Sequence, residues 1–365
     1  MIGLQKLSYR NFDWYLFGSV FLLTAIGAVS IYSVDLSRGV GLVFFKKQLI
    51  AAMVGFFLLF AAAFTHHNLW RNSAKLFYVF SVLLLVVVLF VGQLVRGTKS
   101  WFTIFGYSFQ PVELMKVGLI LILAYVITRF GRRFERPIFF YGTGIIAFLP
   151  VFLVLLQPDL GSAVLLGAIW FGLMLLVRAK KTHILSVILM IVVIGVAGWF
   201  FLLKDYQKER LAVFVDPQKD PLGSGYNVNQ SIIAVGAGQI VGRGLGFGSQ
   251  SQLHFLPEAQ TDFIFSVIGE ELGFVGVLSM ICLFLALFWR IVFLIRKVDS
   301  NFSSLVASGA LILFFAQFVT NISASIGLLP ITGVTLPFVS YGGSSLIANL
   351  FLVGILQSMV ENRTS

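Results

Sequence analysis

From Ser300 to Val360 the chain contains no Asp, Glu, Lys, Arg or His. A water-soluble domain cannot hide so much unbroken apolar chain, whereas a bilayer demands it, because hydrocarbon offers no partner to a charge. The rest of the sequence is built the same way: 58% of its 365 residues are hydrophobic and 11% are charged. Uncharged runs predict ten spans, at about 14–34, 48–65, 76–95, 111–128, 138–158, 159–177, 184–203, 263–289, 303–326 and 341–360, each close to the roughly 20 residues a helix needs to cross. The expected fold is therefore all-α and polytopic. It is a single integral membrane domain over 1–365, with a long loop at 204–262 between the seventh and eighth helices. The first run, Trp14–Val34, is too long for a signal-peptide core and reads as an uncleaved span. The single cysteine, Cys282, excludes an intramolecular disulfide and reads as a small buried hydrophobe.

Charge sets the orientation, because cytoplasmic loops carry an excess of Lys and Arg. With the N-terminus inside, the inner segments hold Lys6, Arg10, Arg71, Lys75, Arg129, Arg132, Arg133, Arg136, Arg178, Lys180, Lys181, Arg290, Arg296, Lys297 and Arg363, which is 15 cations. The short outer loops hold Arg38, Lys46, Lys47, Arg96 and Lys99, which is 5. The long 204–262 loop is left out of the count, since long loops escape the rule. Both termini are thus expected in the cytoplasm and the protein in the plasma membrane. The net charge of +11 is mostly this topological signal, so nucleic acid is not an expected partner. In this orientation the 204–262 loop, the Arg96–Pro111 loop, "QPDLG" and "GLLPITGVTLPFVSYGGSS" all lie outside, while the inner loops are short and basic. Chemistry is expected on the extracytoplasmic face.

Nucleotide chemistry is not expected there. Gly236, Gly238 and Gly242 have the wrong third spacing for a dinucleotide fingerprint, and neither G-x-x-x-x-G-K-[ST] nor a D-x-D pair occurs. The segment "NQSIIAVGAGQIVGRGLGFGSQSQLHF" reads instead as a short amphipathic or re-entrant helix followed by irregular backbone, which membranes tolerate only where protein buries it or water reaches it. His66 and His67 stand together on the inner side with no Cys or carboxylate nearby, and are not read as a metal site.

The acids carry more information. "FQPVELMK" and "QPDLGS" each place a carboxylate, Glu113 or Asp159, just after Gln-Pro at a helix start, where the helix dipole favours it; Pro158 fits a first helical position. Lys116, three residues after Glu113, shares its helix face, and a buried pair of that kind usually marks a site. "LPEAQTDFIFSVIGEELGF" sets Glu258 and Asp262 at the mouth of the eighth span and carries Glu270 and Glu271 into it. At 100° per residue Ser266, Gly269, Gly273 and Gly276 fall within about 40° of a line through Asp262, a small-residue stripe suited to helix packing or to a cavity wall. Glu270 lies at its edge and Glu271 opposite, both placed to hold neighbours by hydrogen bonds.

Taken together, "RGTKSWFTIFGYSFQPVELMK", "QPDLGSA", "DPLGSGYNVNQS", "FLPEAQTDFIFSVIGEELGFVG" and "GLLPITGVTLPFVSYGGSSLIANL" resemble the SEDS family of bacterial shape, elongation, division and sporulation proteins, in register from about Arg96 to the C-terminus. "KDYQKERL" and "GSQSQLHFLPE" are more similar to the elongation (RodA) branch than to the division (FtsW) branch; Val112 departs from the family, which usually has serine there. The resemblance implies a peptidoglycan glycosyltransferase that polymerises lipid II outside the plasma membrane, partnered by a class B penicillin-binding protein and other elongation-complex membrane proteins. It places the essential aspartate on Asp262 and the buried pair on Glu113 and Lys116. Arg96, Trp101, Asp159, Arg210, Glu258, Gln260, Thr261 and Ser344 lie in or beside these motifs and are expected to bind substrate or support the site.

That activity suits the residues. A lipid-linked donor brings its own diphosphate leaving group, so no nucleotide is required. One carboxylate must take the proton from the acceptor hydroxyl. A cation must meet the diphosphate: Lys116, Arg96, Arg210 or a divalent metal such as Mg or Mn. A lipid II flippase is the rival, but it needs gates on both faces, and the inner loops at 129–137 and 178–183 are short. A scaffold would leave the intramembrane acids without purpose. Small residues in the eighth and ninth spans (Gly273, Gly276, Ser279; Ser304, Ala307, Ser308) are expected to receive the partner's span. The orientation is checked by cysteine labelling: in spheroplasts an impermeant reagent should modify Lys219→Cys and spare Arg133→Cys, and the opposite pattern would reverse the topology.

Overall fold

The structure, a computed structural model, describes residues 12–37, 41–95, 98–104, 106–131, 136–201, 208 and 224–360. Arg96, Arg210 and most of the 204–223 stretch lie outside the described residues, as do Lys6, Arg10, Arg38, Arg132, Arg133 and Arg363. The helices are α1 (Trp14–Ser37), α2 (Val43–Ala63), α3 (His67–Val91), α4 (Pro111–Phe130), α5 (Pro137–Leu155), α6 (Leu160–Leu176), α7 (Lys181–Phe201), α8 (Ser224–Ala237), α9 (Ser249–Gln252), α10 (Ile264–Lys297), α11 (Asn301–Ser325) and α12 (Gly343–Val360). Among the described residues, 8 of them are long and apolar enough to cross a membrane, and Leu160–Leu176 and Lys181–Met190 are shorter apolar helices. The chain is a multi-pass membrane protein, and each predicted interval holds a helix. Some helices outrun their apolar stretch: α3 begins at His67 and passes through Arg71 and Lys75, and α10 runs on through Arg290 to Lys297. A helix does not stop where the bilayer stops, so charge-free length understates it.

α4 and α12 are apolar nearly all round and lie at the centre, enclosed by their neighbours. α2 and α12 form the closest helix pair, because glycines let the backbones meet: a Cβ on Gly354 would strike the Leu59 carbonyl, and one on Gly55 would meet Leu350. On the outer helices Phe57, Leu83, Phe90, Ile145 and Trp289 face outward, where lipid covers them. Cys282 is exposed on α10, not buried as the sequence suggested, and belongs to this lipid-facing surface. At one end of the bundle Asp13 pairs with Arg290, and Gln357 brackets the Asp13 backbone with two 2.9 Å bonds, tying α1, α10 and α12.

Two details differ from the sequence reading, and a third adds to it. The end of the predicted third span and the expected Arg96–Pro111 loop make a three-stranded antiparallel sheet of β1 (Gln93–Val95), β2 (Thr98–Ile104) and β3 (Tyr107–Phe109). "TKSWFTI" is rich in β-branched and aromatic residues, and pairing satisfies backbone groups at the bundle's end. Pro158 does not open α6; the helix starts at Leu160 with Asp159 as its N-cap. His66, finally, caps α3, its Nδ1 accepting from Asn68 N–H at 3.2 Å.

The small-residue stripe on α10 serves packing. Gly273 has φ 66 and ψ −163 and breaks the helix, and the irregular backbone after α8 fills the break. Phe274 and Val275 donate their N–H groups to the carbonyls of Gln239 and Ile240 at 2.8 and 3.0 Å. In return Arg243 and Gly244 donate to the carbonyls of Glu270 and Glu271 at 3.0 and 2.9 Å. α10 thus exchanges part of its own ladder for a ladder with the loop. Ser266 meets Ser231 of α8, hydroxyl to hydroxyl, at 2.6 Å. Of the small residues on α10 and α11, Gly273, Gly276, Ala307 and Ser308 are buried inside the chain, Ser304 is half-buried and Ser279 is exposed. Gly273→Ala would combine a positive φ with a collision against the Gly242 amide. It should cost roughly 1–3 kcal/mol, read as a lower melting temperature in detergent; an unchanged melt would mean the kink tolerates a side chain.

Candidate active site

Asp262 lies in a turn, not on the helix that follows. The N–H groups of Thr261 and Asp262 both donate to the Glu258 carbonyl, at 3.0 and 3.2 Å. Phe263, not Asp262, is the N-cap residue of α10, and it carries no side-chain cap. Asp262 and Glu258 are half-buried; Gln260 and Thr261 are buried. Thr261 Oγ1 and Glu258 Oε2 are 3.2 Å apart.

Three successive carbonyls of this turn are held by one segment and one helix. Tyr341 N–H donates to Gln260 O at 2.8 Å, Ser340 Oγ to Thr261 O at 2.7 Å, and Asn321 Nδ2 to Asp262 O at 3.0 Å. The clamps are themselves fixed. Asn321 also donates to Val334 O at 2.9 Å, and Ser340 Oγ accepts from Leu336 N–H at 2.9 Å. Gln48 of α2 donates to Ser340 O at 3.2 Å and accepts from Gly342 N–H at 3.3 Å. The Asp262 carboxylate therefore rides on backbone with little freedom, which is the condition for preorganised chemistry.

The same segment leads into α12, and there the other motifs join. Ser344 Oγ accepts from Gln110 N–H at 3.1 Å and donates to Ser108 O at 3.1 Å. Gln110 Nε2 donates to Asp159 Oδ2 at 3.0 Å, and Asp159 accepts from Ser162 N–H at 3.0 Å and Ser162 Oγ at 2.7 Å. Asp159 is thus both the cap of α6 and the staple that ties it to the start of α4. Gly161 lies against the Thr332 carbonyl so closely that a Cβ would collide. The starts of α4, α6 and α12 and the Asp262 turn consequently meet at one end of the bundle.

One turn into α4, Lys116 Nζ lies 2.7 Å from Glu113 Oε2, with side-chain exposures of 2% and 7%. Among the described residues Oε2 has no hydrogen-bond partner, so the ammonium approaches off the hydrogen-bond axis and the contact is ionic. Such a pair is tolerated because each charge neutralises the other, not because it stabilises the fold strongly.

Glu270 and Glu271 have a different role, as their hydrogen-bonding potential suggested. Glu270 accepts from Gln250 N–H at 2.8 Å and Ser251 N–H at 3.1 Å, capping α9 from below. Glu271 accepts from Ser33 Oγ at 2.7 Å, Gln252 Nε2 at 3.1 Å and Gly246 N–H at 3.3 Å. Trp101 is half-buried on β2 opposite Gln93, and among the described residues no hydrogen bond joins it to the Asp262 turn. Asn321, Ser340 and Gln48 were missed from sequence; the signal for Asn321 was an amide inside an apolar span, four residues after another, Gln317. No group of three or more His, Cys, Asp or Glu able to hold a metal occurs among the described residues. Glu258 and Asp262 on one turn suit only a cation that shares its coordination with phosphate oxygens and water, as Mg commonly does.

Removing one member of the Glu113–Lys116 pair leaves a buried charge without its partner, at a cost of roughly 3–5 kcal/mol. Glu113→Ala and Lys116→Ala should each lower the melting temperature, activity or both, and the loss in Glu113→Ala/Lys116→Met should be smaller than the sum of the single losses. Wild-type stability and activity in both single variants would show that the pair is dispensable.

Residues 13–365 match the FtsW/RodA/SpoVE family, described as cell cycle protein. The peptidoglycan glycosyltransferase MrdB of Escherichia coli K12 is 36% identical over 299 residues, 81% of this chain and 80% of that protein. A probable peptidoglycan glycosyltransferase FtsW of Trichlorobacter lovleyi is 36% identical over 370 residues, 98% of this chain and 95% of that one, and the stage V sporulation protein E of Bacillus subtilis is 36% identical over 351 residues, 92% and 93%. Among solved structures, a chain of a peptidoglycan synthase complex described as coordinating polymerization and crosslinking superposes with a TM-score of 0.84 at 32% identity, covering 98% of this chain and 100% of that one. The Thermus thermophilus rod shape determining protein RodA gives 0.73 at 29% identity, covering 98% and 99%. The chain belongs to the FtsW/RodA/SpoVE, or SEDS, family.

Proposed function

We propose that this protein is a peptidoglycan glycosyltransferase that polymerises lipid II at the outer face of the plasma membrane, with Asp262 as general base. The observation that carries the reading is the clamp on Gln260, Thr261 and Asp262, which presents one half-buried carboxylate on fixed backbone where three helix starts converge. In the reaction the acceptor sugar hydroxyl attacks the anomeric carbon of the donor. Asp262 takes the hydroxyl proton, the new glycosidic C–O bond forms, and the bond to the polyprenyl diphosphate breaks. The diphosphate leaves with the electron pair, and its charge needs a cation nearby. Lys116, Arg96 and Arg210 are the chain's own candidates. A divalent cation, Mg or Mn, arriving with substrate would be held by Glu258 or Asp262 together with phosphate oxygens, and would neutralise the leaving group. The starts of α4, α6 and α12 add partial positive charge at the same end.

The biological setting is drawn from relatives. Likeness to MrdB and to RodA supports a role in cell elongation and shape; the match to an FtsW along nearly the whole chain supports a division polymerase as the second reading. The structural neighbour from a synthase complex supports a class B penicillin-binding protein as partner. Ten crossings, both termini in the cytoplasm and the Asp262 end outside belong to the same proposal.

The test is polymerisation of purified lipid II by the reconstituted protein, with and without a candidate transpeptidase. Asp262→Asn keeps the shape and leaves the backbone clamp in place but cannot accept the proton. Glycan chains should disappear while the melting temperature stays near wild type. Wild-type polymerisation by Asp262→Asn would remove it as the base, and a folded wild-type protein that makes no glycan under either condition would favour transport or scaffolding.

A further inference from the structure

Gln317 lies in α11 and is 0% exposed, yet among the described residues neither its Oε1 nor its Nε2 has a hydrogen-bond partner. One turn on, Asn321 spends Nδ2 on Asp262 O and Val334 O and leaves Oδ1 without a partner. Glu113 Oε2, 2.7 Å from Lys116 Nζ, also lacks a hydrogen bond among the described residues. Buried amides are seldom left so, because the lost hydration is uncompensated.

Helical rise sets Glu113 and Gln317 at one level and Asn321 one turn beyond them. α4 begins, and α11 ends, at the Asp262 end, so the two run antiparallel, and Gly309 of α11 packs on Ile120 of α4. Seven residues from that contact toward the Asp262 end, about 10 Å at helical rise, α4 has reached Glu113 and α11 has reached Ala316, next to Gln317. Around α11, Gln317 lies about 80° from Gly309 and about 40° from Asn321 at 100° per residue. Phe314, further round on the same side, stacks edge-on against Phe338 of the segment that clamps Asp262. Gln317 therefore stands between α4 and that segment.

We propose that Gln317, Asn321 and Glu113 hold ordered water between α4 and α11, and that this water couples the Glu113–Lys116 pair to the backbone carrying Asp262. Gln317 Nε2 supplies a donor, and Gln317 Oε1, Asn321 Oδ1 and Glu113 Oε2 supply acceptors. That is a full set for water, which binds inside proteins where two to four polar partners converge. Gln317 is a positioning residue: it acts on Asp262 through Asn321 and touches no reacting atom. The inference rests on the reading of Asp262 as the base.

Gln317→Met keeps length and volume and removes both amide atoms. In a dry site it would relieve a defect, so the protein would melt at the wild-type temperature or higher and polymerise at the wild-type rate; either result overturns the proposal. In a hydrated site the melting temperature falls, and the loss is not additive with that of Glu113→Gln. The polymerisation kcat drops by roughly ten- to a hundred-fold with KM for lipid II unchanged, and Gln317→Asn recovers much of it. Additive losses, or a fall in KM-dependent binding alone, would also overturn it. The melting cycle involves no turnover, so an active Asp262→Asn would defeat the base assignment while leaving the water site to be judged on stability.

Discussion

A backbone amide or carbonyl at membrane depth must find a partner inside the protein, and the architecture around Asp262 follows from that demand. Each unpartnered group costs several kcal/mol in hydrocarbon, so irregular chain can enter the bundle only where something answers it. Here the answers are specific. Asn321, Ser340 and Tyr341 take the carbonyls of the Asp262 turn. Glu270 and Glu271 take the amides of Gln250, Ser251 and Gly246. Gly273 opens α10 so that its backbone can trade bonds with residues 239–244. The backbone that carries the carboxylate proposed for catalysis is held in place because its polar groups had to be satisfied.

The buried charges divide along the same line. Glu270 and Glu271 accept bonds from backbone and side-chain groups of chain entering from the loop, Glu271 also from Ser33 of α1, which makes them substitutes for a ladder that irregular backbone cannot build. Glu113 and Lys116 neutralise each other one turn inside α4, with little hydrogen bonding to explain their presence. The contacts among the described residues give no structural reason for the pair, whereas under the proposed function a cation beneath the site would meet the leaving diphosphate. Asp159 belongs to both groups, capping α6 and reaching Gln110 at the start of α4.

Much of this was legible in the sequence because it rests on period and charge. Uncharged runs located the helices, and the three-residue spacing of Glu113 and Lys116 set them on one face. The acids of "PEAQTDFIFSVIGEELGF" separated into turn and span. What was not legible depends on contacts between distant segments. That Asn321, Ser340 and Gln48 hold the turn, that Asp159 caps instead of following a helix-opening Pro158, and that the glycine stripe receives a loop are all tertiary facts. The short sheet escaped because strand pairing at a bundle's end leaves only a few alternating residues as its trace. Cys282 was misjudged because in a membrane apolar and small residues face lipid, partner and core alike, so composition does not tell the three apart.

The most direct measurement is a structure of the protein with lipid-linked saccharide in both donor and acceptor positions. The account predicts the acceptor hydroxyl within roughly 2.6–3.2 Å of the Asp262 carboxylate, directly or through one water. It also predicts the donor diphosphate beside the starts of α4, α6 and α12, with the turn still held by Asn321, Ser340 and Tyr341. A saccharide bound at the opposite end of the bundle, or an acceptor hydroxyl held by some other base with Asp262 turned away, would contradict it.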